Sequence, residues 1–148
     1  MKLIYQSKKV FLSSTLKNNS LVPAFFKNLN FEKIKNSILG SKYELSIVLI
    51  GKNRSKFLNN KYRKINKATD VLSFPFSLSS GEIFITPEIA KKKAKEFYPT
   101  SPWLRGNFAN YLLFLVIHAV FHLKGLEHGS KMETYERAHY NRYRRRYL

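Results

Sequence analysis

The chain has 148 residues, of which 44% are hydrophobic, and it carries 27 basic against 9 acidic residues for a net charge of +18. This length and hydrophobic content predict a single folded domain over residues 1–148 and exclude a disordered chain. The absence of cysteine excludes disulfides, thiolate metal sites and cysteine nucleophiles, so any metal must be held by histidine or carboxylate side chains.

The spacing of apolar residues predicts an α+β fold with a small mixed sheet packed with helices. The predicted strands are residues 2–6, 44–50, 70–76 and 81–86. The predicted helices are residues 22–37 as one helix or two, 53–63, a helix from Pro87, 106–124 and 131–146. No apolar run is long enough for a signal peptide or a membrane-spanning helix. We therefore expect a cytoplasmic protein without a membrane partner.

Two prolines give local signals. Pro75 lacks the amide hydrogen that a central strand needs, which favours an edge position for the strand at 70–76. Thr86, Pro87 and Glu88 together are typical of a helix start, with a capping hydroxyl, proline at the first helical position and an acid in the first turn.

Three of the four histidines lie in the stretch HAVFHLKGLEH, residues 118–128. His118 and His122 are four residues apart, so on a helix they lie on one face within reach of one ion. Gly125 suits the left-handed position that ends a helix, and the chain can then turn back to present His128. Three imidazoles with a free fourth corner are typical of catalytic zinc, and the pattern predicts a site for one zinc ion.

These histidines admit two other interpretations. Ordinary histidines hydrogen-bonded to neighbours would explain a single imidazole better than a spaced trio within an apolar helix. The spacing is also that of the metzincin proteases, which carry a glutamate as general base directly after the first histidine. Here that position is Ala119, which cannot transfer a proton, so peptide hydrolysis by that mechanism is not expected.

The stretch HAVFHLKGLEH resembles the HGxLHLxGYDH signature of the YbeY family of metal-dependent bacterial endoribonucleases. A second segment, YRKINKATDVLSFPF at 62–76, is similar to the family block YRxxDxPTDVLSFPF, and GEI followed by ITPE resembles its GDIxISPE junction. Met132, Glu133 and Glu136 resemble its final helix. These blocks span about residues 58–137 in the family's order, whereas the first forty residues match no family block.

The resemblance implies a zincin-like metal helix and zinc bound by His118, His122 and His128. It implies cleavage of single-stranded RNA in maturation of the 3′ end of 16S ribosomal RNA and in ribosome quality control. Its partners would be ribosomal RNA and the ribosome, with no DNA expected. Arg63 matches a functionally important arginine of the family, and we predict it to be catalytic and substrate-binding. Ser73, in the same block, is a second predicted substrate-binding residue.

Glu127 is the only carboxylate inside the histidine motif, and we predict that it orients a ligand histidine or acts as a base. The sequence departs from the family signature at Ala119, Leu126, Glu127 and Glu82, but none of these positions is a predicted metal ligand. The general base is therefore not defined by the sequence.

The excess of basic residues predicts a polyanionic partner, which favours RNA. A coding bias towards AT-rich codons would also enrich lysine, but it does not explain the shortage of acids or the arginines of YNRYRRRYL. Two alternative functions remain open at this point. One is a non-enzymatic RNA- or ribosome-binding module with structural zinc, which needs a fourth protein ligand such as Glu127 or His139. The other is a zinc hydrolase of another substrate.

Overall fold

The computed structural model describes residues 2–7, 9–18, 20, 22–97 and 108–147. The strands are β1 Lys2–Gln6, β2 Val10–Ser14, β3 Glu44–Leu49, β4 Val71–Ser77 and β5 Ser80–Ile85. The helices are α1 Ala24–Lys27, α2 Phe31–Leu39, α3 Lys52–Arg63, α4 Pro87–Phe97, α5 Phe108–Leu123 and α6 Ser130–Tyr147. Every predicted element is present; the predicted start of α5 at 106 lies outside the described residues.

The five strands form one mixed sheet in the order β1-β2-β3-β5-β4. β2, β3 and β5 run parallel, while β1 and β4 pair antiparallel at the two edges. β4 is thus an edge strand, as Pro75 predicted. β2 was not predicted from the sequence, although it alternates as a strand should: Val10 and Leu12 are buried and Phe11 is exposed. The prediction of an α+β fold with a small mixed sheet is confirmed.

The two faces of the sheet are covered very differently. Leu45, Ile47 and Leu49 of β3 face the main core, which also contains most of α5. Because side chains alternate along a strand, Val48 faces the other way, into a small cluster with Leu58 of α3. Helix α5 therefore lies on the thickly covered face, and α3 lies on the opposite one.

Helix α5 is the centre of the main core. From Asn110 to Ile117 every residue is buried, and the two histidines that follow are partly accessible. A helix that is apolar on all sides is stable only when other elements surround it, and α5 packs against α2, α4, α6, β4 and β5. Within the described part of the chain, no helix is both long and apolar enough to cross a membrane.

Candidate metal centre and active site

The three histidines of the motif converge at the end of α5. His118 and His122 lie one turn apart on the helix, and His128 reaches back from the following loop. One ring nitrogen from each of the three lies within 4.8 Å of the others. No further carboxylate or histidine of the described residues belongs to this group, so the arrangement leaves one side open.

The turn after α5 explains how His128 arrives there. Gly125 has a φ of +97°, in the left-handed region that glycine adopts without strain. The amide of Gly125 donates to the carbonyl of His122 at 2.9 Å, and the amide of Leu126 donates to that of Phe121 at 3.1 Å. This bond pair is the Schellman helix ending, and it reverses the chain sharply enough to bring His128 over the helix.

Hydrogen bonds fix which ring nitrogens face the centre. The Nδ1 of His122 donates to the carbonyl oxygen of Leu126 at 3.0 Å, and the Nδ1 of His118 lies 2.5 Å from a carboxylate oxygen of Glu136. A carbonyl or carboxylate oxygen can only accept, so both Nδ1 atoms carry the proton and both Nε2 atoms present a lone pair. This is the tautomer that a metal-ligating histidine needs.

The Nε2 atoms of His118 and His122 lie 3.1 Å apart. With both protons on Nδ1 there is no hydrogen between the Nε2 atoms, so their proximity is favourable only with a cation beside them. Zinc–nitrogen bonds of about 2.0–2.1 Å in a tetrahedron place ligand nitrogens roughly 3.3 Å apart. The spacing and the donor type therefore fit a zinc ion bound by these residues.

Burial also favours the ligand form of His122. It lowers the pKa of this histidine, and the neighbouring imidazoles His118 and His128 lower it further, whereas the carbonyl of Leu126 and the carboxylate of Glu136 raise it. The net pKa lies below the ordinary histidine value. The neutral ring is the form that binds a metal.

A cavity of about 420 Å³ opens directly in front of the triad. It is lined by the three histidines and by Arg63, Thr69, Asp70, Val71 and Ser73. Arg63 is the last residue of α3 and is exposed, and it lines this cavity although α3 packs on the opposite face of the sheet. The hydroxyl of Ser73 lies 3.4 Å from the carbonyl oxygen of Ala119 on α5. The structure thus brings both predicted substrate-binding residues to the histidines.

Asp70 anchors the wall of this cavity. Its buried carboxylate accepts hydrogen bonds from Tyr111 Oη at 2.6 Å, from Lys93 Nζ at 3.0 Å and from Thr69 Oγ1 at 3.1 Å. Burial by itself raises the pKa of Asp70, but the bonds from Tyr111, Lys93 and Thr69 and the lysine charge outweigh it, so the pKa lies below its usual value. Asp70 is an ionised, structurally fixed group beside the triad, and sequence analysis assigned it no role.

Glu127 is placed differently from the other predicted site residues. Its side chain is exposed, and the cavity in front of the triad is not lined by it. Among the described residues, the carboxylate bonded to a triad imidazole is that of Glu136, which is 5% exposed on α6. Glu136 lies eight residues beyond the motif, and in the sequence only its resemblance to the family's final helix pointed to it. The predicted role of Glu127 stays a prediction.

His139 is also separate from the triad. Its Nδ1 lies 2.9 Å from the carbonyl oxygen of Tyr135, one turn earlier on α6, and its ring packs edge-on against Phe121. The fourth ligand that a structural zinc site would need is therefore supplied neither by His139 nor by another described histidine or carboxylate.

Comparison with known proteins agrees with this architecture. The family described as Endoribonuclease YbeY matches residues 6–144. The Endoribonuclease YbeY of Aliarcobacter butzleri is 34% identical over 106 residues, which cover 68% of this chain and 69% of that protein. That of Thermotoga neapolitana is 34% identical over 99 residues, which cover 64% of this chain and 62% of that protein.

A solved structure shares the fold. The solution structure of a Thermotoga maritima protein superimposes with a TM-score of 0.56 at 24% identity, covering 88% of this chain and 86% of the other. The family match extends over nearly the whole chain and contains all three histidines, Arg63 and Ser73. The resemblance seen in the sequence motifs and the prediction of an enzyme are thereby confirmed: the chain belongs to the YbeY family of endoribonucleases.

Proposed function

We propose that this protein is a zinc-dependent endoribonuclease specific for single-stranded RNA, with one zinc ion held by His118, His122 and His128. The observation that carries the proposal is the convergence of three imidazoles on one point with one side left open to a cavity. Catalytic zinc sites have three protein ligands and an open position, whereas structural sites usually have four ligands.

The chain's own residues supply the rest of the site. When bound, zinc supplies a Lewis acid that polarises a phosphoryl oxygen and activates water. Arg63 can hold a non-bridging phosphate oxygen through two parallel hydrogen bonds and oppose the negative charge that develops there. Ser73 lines the same cavity, and its hydroxyl can donate to the same phosphate by exchanging its long 3.4 Å bond to the Ala119 carbonyl for one to the ligand. Glu136 holds the His118 ring in its ligand orientation, and Glu127 remains a candidate for the base.

We propose further that the substrate is ribosomal RNA, with a role in maturing the 3′ end of 16S RNA and in ribosome quality control in the cytoplasm. Family membership and the net charge of +18 support an RNA partner. Because the site lies in a cavity beside an edge strand, a flexible single strand can enter it more readily than a rigid duplex.

Metal content and RNA cleavage, measured together, test this proposal. The purified protein should contain about one zinc per chain and cut a labelled single-stranded RNA, and a chelator should abolish cleavage while added zinc restores it. His118→Ala and His122→Ala should each lose the metal and the activity, because two imidazoles bind zinc far more weakly than three.

His139→Ala is the matched control, since it removes a histidine that lies outside the triad. It should retain both zinc and activity. Stoichiometric zinc in both triad variants, or cleavage that is insensitive to the chelator, would contradict the proposal.

A further inference from the structure

The face of the sheet opposite the triad carries an aromatic and basic surface that the metal centre does not explain. We call it the α3 platform and define it by Arg54, Phe57, Lys61 and Tyr62 of α3 and Phe74 of β4. Phe57 is 54% exposed and Tyr62 is 57% exposed, far more than aromatic side chains that serve only packing.

The rings and the charges of the platform alternate. The guanidinium carbon of Arg54 lies 5.7 Å from the centre of the Phe57 ring. The Lys61 ammonium lies 5.8 Å from that ring and 5.3 Å from the Tyr62 ring, so a single cation is flanked by both rings. Tyr62 in turn packs on Phe74, with ring centres 5.1 Å apart. The result is a row in which Lys61 lies between the Phe57 and Tyr62 rings, Arg54 lies at the Phe57 end, and Phe74 packs directly on Tyr62.

The charge of α3 fits a polyanion. Its twelve residues, KNRSKFLNNKYR, include five basic residues and no acid. Lys52 Nζ is paired with the Glu88 carboxylate at 2.9 Å, so it is less available to a phosphate than the other four basic residues of α3. Glu82, half-buried in β5, interacts with Arg54; burial raises its pKa above the ordinary value, and Ser46 and Arg54 partly oppose that shift. Positive charge therefore dominates this surface.

The platform adjoins the proposed catalytic cavity. Tyr62 immediately precedes Arg63, which lines the cavity with the three histidines. β4 separates the two surfaces and is the edge strand of the sheet, so a chain leaving the cavity can pass around its edge without crossing the sheet. A single strand that occupies the cavity can therefore continue around β4 onto the aromatic row.

We infer that the α3 platform binds the single-stranded RNA that flanks the scissile bond, with unpaired bases stacking on Tyr62 and Phe57 and phosphates contacting Arg54 and Lys61. Exposed rings alternating with cations meet the two chemical features of single-stranded nucleic acid, flat bases and regularly spaced phosphates. This inference rests on the proposed function, since it assigns a binding surface to the same substrate.

Equilibrium binding tests the platform independently of cleavage. The probe is a short fluorescein-labelled single-stranded RNA with 2′-O-methyl sugars, its integrity checked on a gel, and anisotropy is measured with zinc-loaded protein. Tyr62→Ala and Phe57→Ala should each raise the Kd by about five-fold or more, the effect of losing one stacked base. Tyr62→Phe should bind like the parent protein, because the ring is retained.

Two controls separate stacking from charge and from a general loss of structure. Tyr135→Ala removes a ring of similar exposure, 43%, that packs on Phe121 on the other side of the molecule, and it should leave the Kd unchanged. Inorganic polyphosphate has charge but no bases, so its affinity should not change in Tyr62→Ala or Phe57→Ala. Tyr62→Ala also removes the contact between Tyr62 and Phe74, which can weaken the fold. In that case Phe57→Ala tests the inference, because the Phe57 ring contacts the cations Arg54 and Lys61.

Unchanged single-strand affinity in both variants would overturn the inference. An equal loss of affinity for polyphosphate would also overturn it, because the rings would then act only through the fold or the charge. Variants that bind RNA normally but lose association with another protein would assign the surface to a protein partner instead. Failure of the parent protein to cleave RNA would count against the proposed function alone, since this measurement needs only binding.

Discussion

The two faces of the sheet differ in the kind of side chain that β4 contributes to each. On the α5 face, β4 contributes Ser73 beside the largely buried helix α5 and the histidine triad. On the α3 face, the same strand contributes Leu72 and Phe74 to a small cluster whose margin is open to solvent. Groups that must be held precisely lie where packing is dense, and groups that contact a long flexible ligand lie where packing is sparse. Two residues link the faces. Arg63 ends α3 and lines the cavity, and Asp70 lines the cavity while the neighbouring Thr69 is bonded to Ser55 of α3.

The largest effect on catalysis is expected at Arg63. This residue ends α3 on one face of the sheet and lines the cavity on the α5 face. Arg63→Ala should lower kcat for RNA cleavage by about 10²–10³-fold, the usual cost of losing one group that opposes developing charge. Zinc content should not change, because Arg63 is not a ligand. Arg142→Ala, an exposed arginine on α6, is the control. Unchanged kcat in Arg63→Ala would remove this residue from the mechanism. The α3 face would then contribute no tested residue to catalysis.

The second prediction compares the packing of the faces directly. Leu113 of α5 is fully buried in the main core, and Leu58 of α3 is 5% exposed in the small cluster. Leu113→Ala should lower the free energy of unfolding by about 3–5 kcal/mol and Leu58→Ala by about 2–3 kcal/mol, because a thinly covered site can relax around the cavity. Urea denaturation measures both values. Equal costs would mean that the two faces are packed equally well.

The third prediction concerns the carboxylate that orients the triad from α6. Glu136→Gln removes the charge from the partner of His118 Nδ1 and should weaken zinc binding by about 10–100-fold. Competition with a chromophoric chelator measures the affinity without reference to activity.

Glu133→Gln is its matched control, because Glu133 lies on the same helix but is exposed and paired with Arg137 at 3.2 Å. It should bind zinc like the parent protein. If Glu136→Gln also retains full affinity, the ring of His118 is held by the packing of α5 alone.

The smallest effect is expected from the titration of Asp70, at the junction of the faces. Tyr111 of α5 donates to Asp70, while the neighbouring Thr69 is bonded through its main chain to Ser55 of α3. The pKa of Asp70 is lower in the folded protein than the ordinary value of 3.8. A lowered folded pKa stabilises the protein above the ordinary pKa, and this stability is lost as the pH falls towards the folded value.

The free energy of unfolding, measured by urea denaturation near pH 6 and near pH 3, should therefore fall with acid by on the order of 1 kcal/mol less in Asp70→Asn than in the parent protein. Glu88→Gln, which removes an exposed ion-pair partner of Lys52, should change this slope little. An identical slope in Asp70→Asn and the parent would show that the carboxylate is not stabilised by its partners.

The sequence predicted most of the fold because its strongest elements carry clear periodic signals. The apolar run of α5, the strand ELSIVL and the Thr86-Pro87-Glu88 helix start are each readable within one short window. β2 was missed because VFLSS has no apolar–polar alternation and ends in two serines. Its strand character depends on β1 and β3 on either side, which no local window contains.

The chemistry of the candidate centre was readable from the sequence, because the i, i+4 spacing on a helix and a glycine at the helix end fix where His118, His122 and His128 can meet. The groups that surround these histidines became apparent only in the folded chain. Glu136, Asp70 and Tyr62 lie on separate elements, and their roles depend on how those elements pack. Helical spacing is a local property of the backbone, whereas hydrogen bonds and ring contacts between distant segments exist only after the chain has folded.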